Sequence, residues 1–197
     1  MIRERYIRKP VVQQAILSLQ HWRATIRINQ IEPFLSNMNS ILDIGSGTGI
    51  INRQLRRKGY AVTALDVAPL TIVGEINPVL YDGLNMPFGD RTFDLALLMT
   101  VLHHAENPIR VLEEAGRVAR HILVIEDLHK NTLHLHYTRL IDSFLNFEFR
   151  NHPHNNKNHT SWLKTFDALG FTLKASNFKW TFWGIYHGIY LLTSRGV

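Results

Sequence analysis

The sequence predicts an α/β protein built around parallel strands, and three observations carry that reading. The apolar run Ile41-Leu42-Asp43-Ile44 reads as a buried strand that passes through Gly45-Ser46-Gly47-Thr48-Gly49 into a helical stretch from Ile51 to Lys58, stopped by Gly59. Ala61-Val62-Thr63-Ala64-Leu65-Asp66 follows at once as a second strand. Phe93 to Thr100 is apolar almost throughout, as expected of a central parallel strand covered on both faces. A strand running through a glycine-rich turn into a helix brings backbone N–H groups close to a ligand, and a Cβ in that turn would block the approach or forbid the turn.

The other elements follow in order. Residues 1–10 are basic and end at Pro10. Apolar positions 11, 12, 15, 16 and 19 predict a helix over 11–20, and a second helix is expected over 23–35, weakened by Pro33. Between Val67 and Leu80, Pro69, Gly74 and Pro78 leave room for a short helix at best. Residues 79–82 read as a short third strand and Gly89-Asp90-Arg91 as a turn. A helix over 108–120 leads into a strand at 121–127. The later part of 128–149 reads as an amphipathic helix, 151–159 as a polar connection, and a helix starting at Thr160 ends near Gly170. Strands at 171–179 and 186–193 close the chain.

The spacing in the turn narrows the ligand. Ile50 stands where the dinucleotide fingerprint needs a third glycine, and no Gly-Lys-Ser/Thr follows as in a P-loop. Asp66 lies about 20 residues after Gly45, the separation at which an acid meets a ribose hydroxyl in nucleotide-binding βαβ units.

Asp43-Ile44-Gly45-Ser46-Gly47-Thr48-Gly49 followed by Leu65-Asp66-Val67 resembles the class I S-adenosylmethionine (SAM) dependent methyltransferases, closest to the small group that includes the quinone-biosynthesis enzymes. The resemblance continues through Tyr81-Asp82-Gly83-Leu84-Asn85-Met86-Pro87-Phe88, through Phe93 to Thr100, and through Val101-Leu102-His103-His104, in the family's order. It covers roughly residues 40–126. It implies a Rossmann-like fold: a seven-stranded, mostly parallel sheet with an antiparallel last strand and helices on both faces. It further implies one domain, with a helical cover at 1–38, a SAM-binding core at 40–126 and a substrate-specificity half at 127–197. The cofactor residues it implies are Asp43, Gly45, Ser46, Gly47, Asp66, Val67, Asp82, Gly83 and Thr100. Asp82 would accept from the adenine amino group, as an ionised carboxylate can, under apolar cover from Met86, Pro87 and Phe88; the other reading is an Asp capping the turn before Gly83.

His103 and His104 leave the carboxyl end of a central strand and are the acid–base candidates, because imidazole titrates near neutrality. Either could instead pack or brace the loop. Glu126 and Asp127 end the fifth strand, where they could face substrate. N-terminal helices commonly cover the site in this family, which makes Tyr6, His21 and Trp22 substrate-side candidates, although core packing explains Trp22 equally well. His129, His134, His136, His152, His154 and His159 suggest a polar lid more than a metal site. The His134/His136 spacing would share a face only on a strand, and no carboxylate pattern accompanies it. Phe178, Trp180, Phe182, Trp183, Tyr186 and Tyr190 suit a packed sheet edge and would also wall an apolar acceptor.

Composition bounds the function. The chain has 197 residues, 45% hydrophobic, with no cysteine, which removes disulfides, thiolate metal sites and a cysteine nucleophile. No secretory h-region or transmembrane run is visible, so a cytoplasmic protein is expected. The net charge of +6 suits an anionic membrane surface or nucleic acid, although Arg56, Arg57 and Lys58 also complement a helix C-terminus. The expected reaction is methyl transfer from SAM to O, N or C of a small organic acceptor of natural-product, quinone or lipid-like type. An RNA or protein acceptor is the alternative suggested by charge, but Met99-Thr100-Val101-Leu102 replaces the Asn/Asp-Pro-Pro-aromatic motif of exocyclic-amine enzymes. A non-catalytic SAM-binding domain is the third reading.

Overall fold

The computed structural model describes residues 10–146, 156–181 and 183–194. Helix α1 (Pro10–Ile31) runs into a 3₁₀ turn (Glu32–Phe34). Then come β1 (Ser40–Ile44), α2 (Ile50–Arg57), β2 (Ala61–Asp66), β3 (Val79–Leu80), β4 (Phe93–Met99), α3 (Pro108–Val118) and β5 (Ala119–Leu128). α4 (Thr132–Asn146), α5 (His159–Ala168), β6 (Phe171–Trp180) and β7 (Tyr186–Ser194) complete the fold. The strands form one sheet in the order β3-β2-β1-β4-β5-β7-β6. β1 to β5 are parallel, and β7 runs antiparallel to both β5 and β6. This is the mostly parallel, seven-stranded α/β sheet expected.

Alternate residues of each central strand feed two cores. Leu42, Ile44, Ala96, Leu98, Ile122 and Val124 pack beneath α3 and α5, against Val111, Leu112, Trp162 and Phe166. Ile41, Leu95, Leu97, Leu123 and Ile125 pack on the other face, against Ile28 and Ile31 of α1. Strand order reverses at β1, which has β2 on one side and β4 on the other. Such a switch point opens a crevice at the carboxyl ends of the strands, beyond Ile44, Asp66 and Met99.

Several expectations need correction. The two predicted N-terminal helices are one continuous α1, because no Gly or Pro interrupts residues 20–23; Pro33 belongs to the 3₁₀ turn that follows. α3 stops at Val118 rather than 120, because Ala119 already pairs with Phe93 as the start of β5. β3 is reduced to two residues. Residues 67–78 hold no helix, as their prolines and glycine demand. Side-chain caps mark the helix starts: Asn107 accepts from Arg110 N before Pro108, and Asn158 accepts from Ser161 N. Tyr6, His152, His154 and Phe182 lie outside the described residues.

Candidate functional site

The glycine turn is shaped by three left-handed residues, Gly45 (φ 68°), Gly47 (φ 51°) and Gly49 (φ 76°). Their reasons differ. A Cβ on Gly45 would sit 2.6 Å from Val101 Cγ2, so this glycine lets the turn after β1 touch the turn after β4. A Cβ on Gly47 would meet nothing nearer than Gly45 O at 3.9 Å, so that position opens onto the crevice. Gly45 N and Ser46 N donate to Leu65 O at the end of β2. Gly47 N donates to Asp66 Oδ2 at 2.7 Å, while Ala68 N donates to Oδ1 at 3.2 Å. Asp66 is thereby buried and aimed, with acceptor positions to spare on both oxygens.

Beneath the turn lie buried polar groups. Ser46 Oγ is buried without a hydrogen-bond partner, and the Asn52 amide lies against the buried Asp43 carboxyl. Burial, and then the charge of Asp66, push the Asp43 carboxyl up to about 7, against the lowering pull of Asn52. Buried polar groups beside an open backbone cradle suit a zwitterionic, hydroxyl-bearing ligand.

The far wall is the loop after β3. Gly83 is left-handed (φ 81°), and a Cβ there would come 3.5 Å from Val67 Cγ1, so Val67 and Gly83 face each other. Val67 is 61% exposed, an apolar plate immediately after Asp66. Asp82 caps the turn: Oδ1 accepts from Leu84 N and Asn85 N, and Oδ2 accepts from Asn85 Nδ2. These bonds from Asn85 and Leu84 hold its carboxyl down at about 2. One acceptor position is left on Oδ2, so capping and ligand binding are compatible. Met86 is buried and Phe88 half-buried. Sequence reasoning missed what ties this wall down. Glu114 on α3 accepts from Met86 N at 2.9 Å, Arg117 donates to Met86 O and Phe88 O, and Arg110 donates to Leu84 O. The Arg117 hydrogen bond outweighs burial and keeps the Glu114 carboxyl below its usual range. Nothing local in an amphipathic helix announces such contacts.

The turn after β4 completes the site. Thr100 has φ 55°, a left-handed conformation that a β-branched residue rarely adopts, and its N donates to Ile125 O at 2.7 Å. Glu126 is fully buried and holds the next residues. Its Oε1 accepts from Val101 N (3.0 Å) and Leu102 N (2.7 Å), and its Oε2 lies 2.6 Å from His103 Nδ1. His103 is 1% exposed, whereas His104, its ring 4.0 Å away, is only half-buried. Glu126 therefore faces the loop rather than solvent, and His103 is braced by it. Asp127 points to the opposite face and lies 3.1 Å from His187 Nε2. Burial alone would raise its carboxyl, but the hydrogen bond and charge of His187, with His103 and Arg27, hold it well below the usual range. His187 was invisible in the sequence; the β5–β7 register alone puts it opposite Asp127.

Other candidates fall elsewhere. His21 packs against Arg53 and Gln54 of α2, and Trp22 is 47% exposed rather than in the core. His134 and His136 sit on a helix, where i and i+2 diverge. Among the described residues no three His, Asp or Glu side chains converge on a metal position. Phe178, Tyr186 and Tyr190 stack together on the core, with His159 Nδ1 at 3.0 Å from Tyr190 Oη, while Trp180 and Trp183 reach the surface. A cavity lined by Ser40, Arg56, Tyr60 and Ala61 lies at the opposite, amino-terminal edge of the sheet, away from these groups.

Residues 42–122 match the family model described as a methyltransferase domain. This core is similar to a class I methyltransferase domain. Over 80 residues the chain is 38% identical to the mitochondrial ubiquinone biosynthesis O-methyltransferase of Schizosaccharomyces pombe, covering 34% of this chain and 29% of that protein. Over 89 residues it is 33% identical to the demethylmenaquinone methyltransferase of Tropheryma whipplei, covering 41% and 37%. The matches thus span well under half the length of these relatives. A crystal structure of a SAM-dependent methyltransferase, possibly a histamine N-methyltransferase, from Thermotoga maritima superposes with a TM-score of 0.68 at 17% identity, covering 97% of this chain and 99% of that one. The methyltransferase fold therefore extends past the matched core, through α4, α5, β6 and β7.

Proposed function

We propose that this chain is a SAM-dependent methyltransferase acting on a small organic acceptor. The observation that carries the reading is the open cradle at Gly47, with Asp66 hydrogen-bonded beneath it and the buried Asp43, Ser46 and Asn52 nearby. In this reading Asp66 holds the ribose hydroxyls, Asp82 and the Val67–Gly83 slot hold adenine, and Asp43, Gly45, Ser46 and Thr100 surround the amino-acid end. SAM supplies a methyl group on a cationic sulfur, already a strong electrophile. The protein's part is to orient the acceptor, exclude water and, for a hydroxyl or amine, receive a proton. Orientation alone contributes about 7–11 kcal/mol to such reactions.

His104 is the group to receive that proton, because it is only half-buried, whereas His103 is 1% exposed and held by Glu126. His103 and Glu126 position it. The match to quinone-biosynthesis enzymes supports a small, ring-bearing or lipid-like acceptor, with residues 128–194 and α1 forming the acceptor-side half. A calorimetric titration with SAM, S-adenosylhomocysteine and NAD tests the reading. Micromolar binding of the two sulfur ligands alone supports it; a folded chain that binds neither at millimolar ligand overturns it.

A further inference from the structure

One surface of the molecule, apart from the cofactor cradle, is apolar and exposed. On α4, Leu133, Tyr137 and Leu140 follow one another at i, i+4 and i+7, and so share one face. Leu133 is 81% exposed and Leu140 64%. The face continues onto the β6–β7 turn. Tyr137 Oη donates to Trp183 O at 2.6 Å, His134 Nε2 lies 3.1 Å from Gly184 O, and the His134 and Trp180 rings are 5.5 Å apart. Trp180, 53% exposed, packs on Tyr186, and Lys130 Nζ lies 4.7 Å and 4.9 Å from those two rings. Helix and turn are thus pinned together as one platform that presents leucines and tryptophans outward.

The part of the chain that carries this platform is basic. Residues 128–197 contain eight Lys and Arg against three Asp and Glu, so five of the six net positive charges fall in this part of the chain. Exposed Lys130 lies against the platform's own rings. Aliphatic side chains thrust into solvent, aromatic rings at their margin and a basic surround are the features of a helix that lies in a membrane interface. Nucleic acid would call for stacking rings and phosphate contacts, and gains nothing from two protruding leucines.

We infer that the α4 face with the β6–β7 turn docks on an anionic lipid bilayer, Leu133 and Leu140 entering the acyl region while Trp180 and Lys130 sit at headgroup level. The platform lies at the carboxyl end of β5, since Tyr186 pairs with Leu128 and Trp180 with Tyr186. Docking there brings the crevice end of the sheet to the membrane. The inference is independent of methyl transfer and stands or falls without it.

The test is sedimentation of the full chain with vesicles of phosphatidylcholine alone and of equal parts phosphatidylcholine and phosphatidylglycerol. The chain should bind the mixed vesicles, bind phosphatidylcholine far less, and lose affinity as salt rises. The double variant Leu133→Ser/Leu140→Ser should bind at least about tenfold more weakly, having lost two insertable aliphatic side chains. Leu80→Ser, an exposed leucine at the far edge of the sheet, should bind like wild type. Circular dichroism checks that each variant is folded. Failure of the folded chain to bind mixed vesicles at low salt overturns the inference, as does binding unaffected by the leucine pair. A dimer by light scattering that the double variant dissociates, without vesicle binding, would assign the face to a second copy. Salt-sensitive binding of single-stranded RNA, without vesicle binding, would assign it to nucleic acid.

Discussion

The two parts of the chain on either side of residue 128 differ in charge balance and in how their functional candidates are held. On the cofactor side, residues 1–127 carry fourteen Lys and Arg against thirteen Asp and Glu, and the acids that matter are buried and assigned: Asp43, Asp66 and Glu126 all lie inside. Past residue 128 the balance turns strongly basic, and large apolar side chains stand exposed on α4 and the β6–β7 turn. Buried, mutually fixed polar groups preorganise a site for one small ligand. Exposed apolar groups in a basic setting do nothing inside the molecule and gain only from what they meet outside it.

If that contrast is right, removing a buried acid that holds several hydrogen bonds, as Glu126 does, should cost far more than removing an exposed apolar side chain. Glu126→Ala strands three hydrogen-bonding partners, Val101 N, Leu102 N and His103, in the interior. The expected loss is about 3–5 kcal/mol of folding free energy by denaturant titration, against under about 0.5 kcal/mol for Leu133→Ser, whose side chain is already in water. His104→Ala should leave stability near wild type while lowering turnover on any accepted substrate. Equal losses in Glu126→Ala and Leu133→Ser would erase the distinction between the two regions.

A finer comparison lies within the cofactor side. Asp66 ends β2 and Asp82 follows β3 by two residues, but one is buried with free acceptor positions and the other is exposed and occupied as a cap. Asp66→Ala should weaken SAM binding by roughly tenfold to a hundredfold, the worth of charge-assisted hydrogen bonds. Asp82→Ala should weaken it by less than about tenfold. Calorimetry on both variants decides, and the reverse order would move the adenine contact ahead of the ribose contact.

These carboxylates also mark how far the sequence could be read. Gly45, Gly47, Asp66 and Asp82 stood out because they fall in short, ordered spacings, which survive as local pattern, and the two glycines are left-handed in the turn those spacings predict. The sheet followed from buried apolar runs for the same reason. The brace at Glu126, the Asp127–His187 pair and the ties from α3 to residues 84–88 join segments more than twenty residues apart. Their partners are set by strand register and helix docking, which no local pattern encodes. The single α1 was missed because two apolar stripes were read as two helices where no breaker stood between them. Glu126 was noticed as a strand-end acid, but only the fold shows that it turns inward to the loop.

The gentlest test of the buried cofactor side is its pH dependence. The Asp43 carboxyl sits at about 7 in the folded chain, against a usual 3.8. Folding therefore takes up a proton. The stability this supplies is fully present below about pH 4 and is lost as pH rises through 7. Asp43→Asn, which never ionises, should gain stability relative to wild type between pH 5 and 8. A cationic ammonium placed beside Asp43 would favour the carboxylate and expel that proton. SAM affinity of the wild type should then fall by about tenfold from pH 8 to pH 6, and the binding heat at pH 7 should change with the ionisation enthalpy of the buffer. In Asp43→Asn both effects should vanish. Heats that ignore the buffer in the wild type would mean that no charge is placed against Asp43. The unpartnered Ser46 would then have to be answered by the neutral parts of the ligand, while Asp43 stays protonated beside Asn52 beneath the turn.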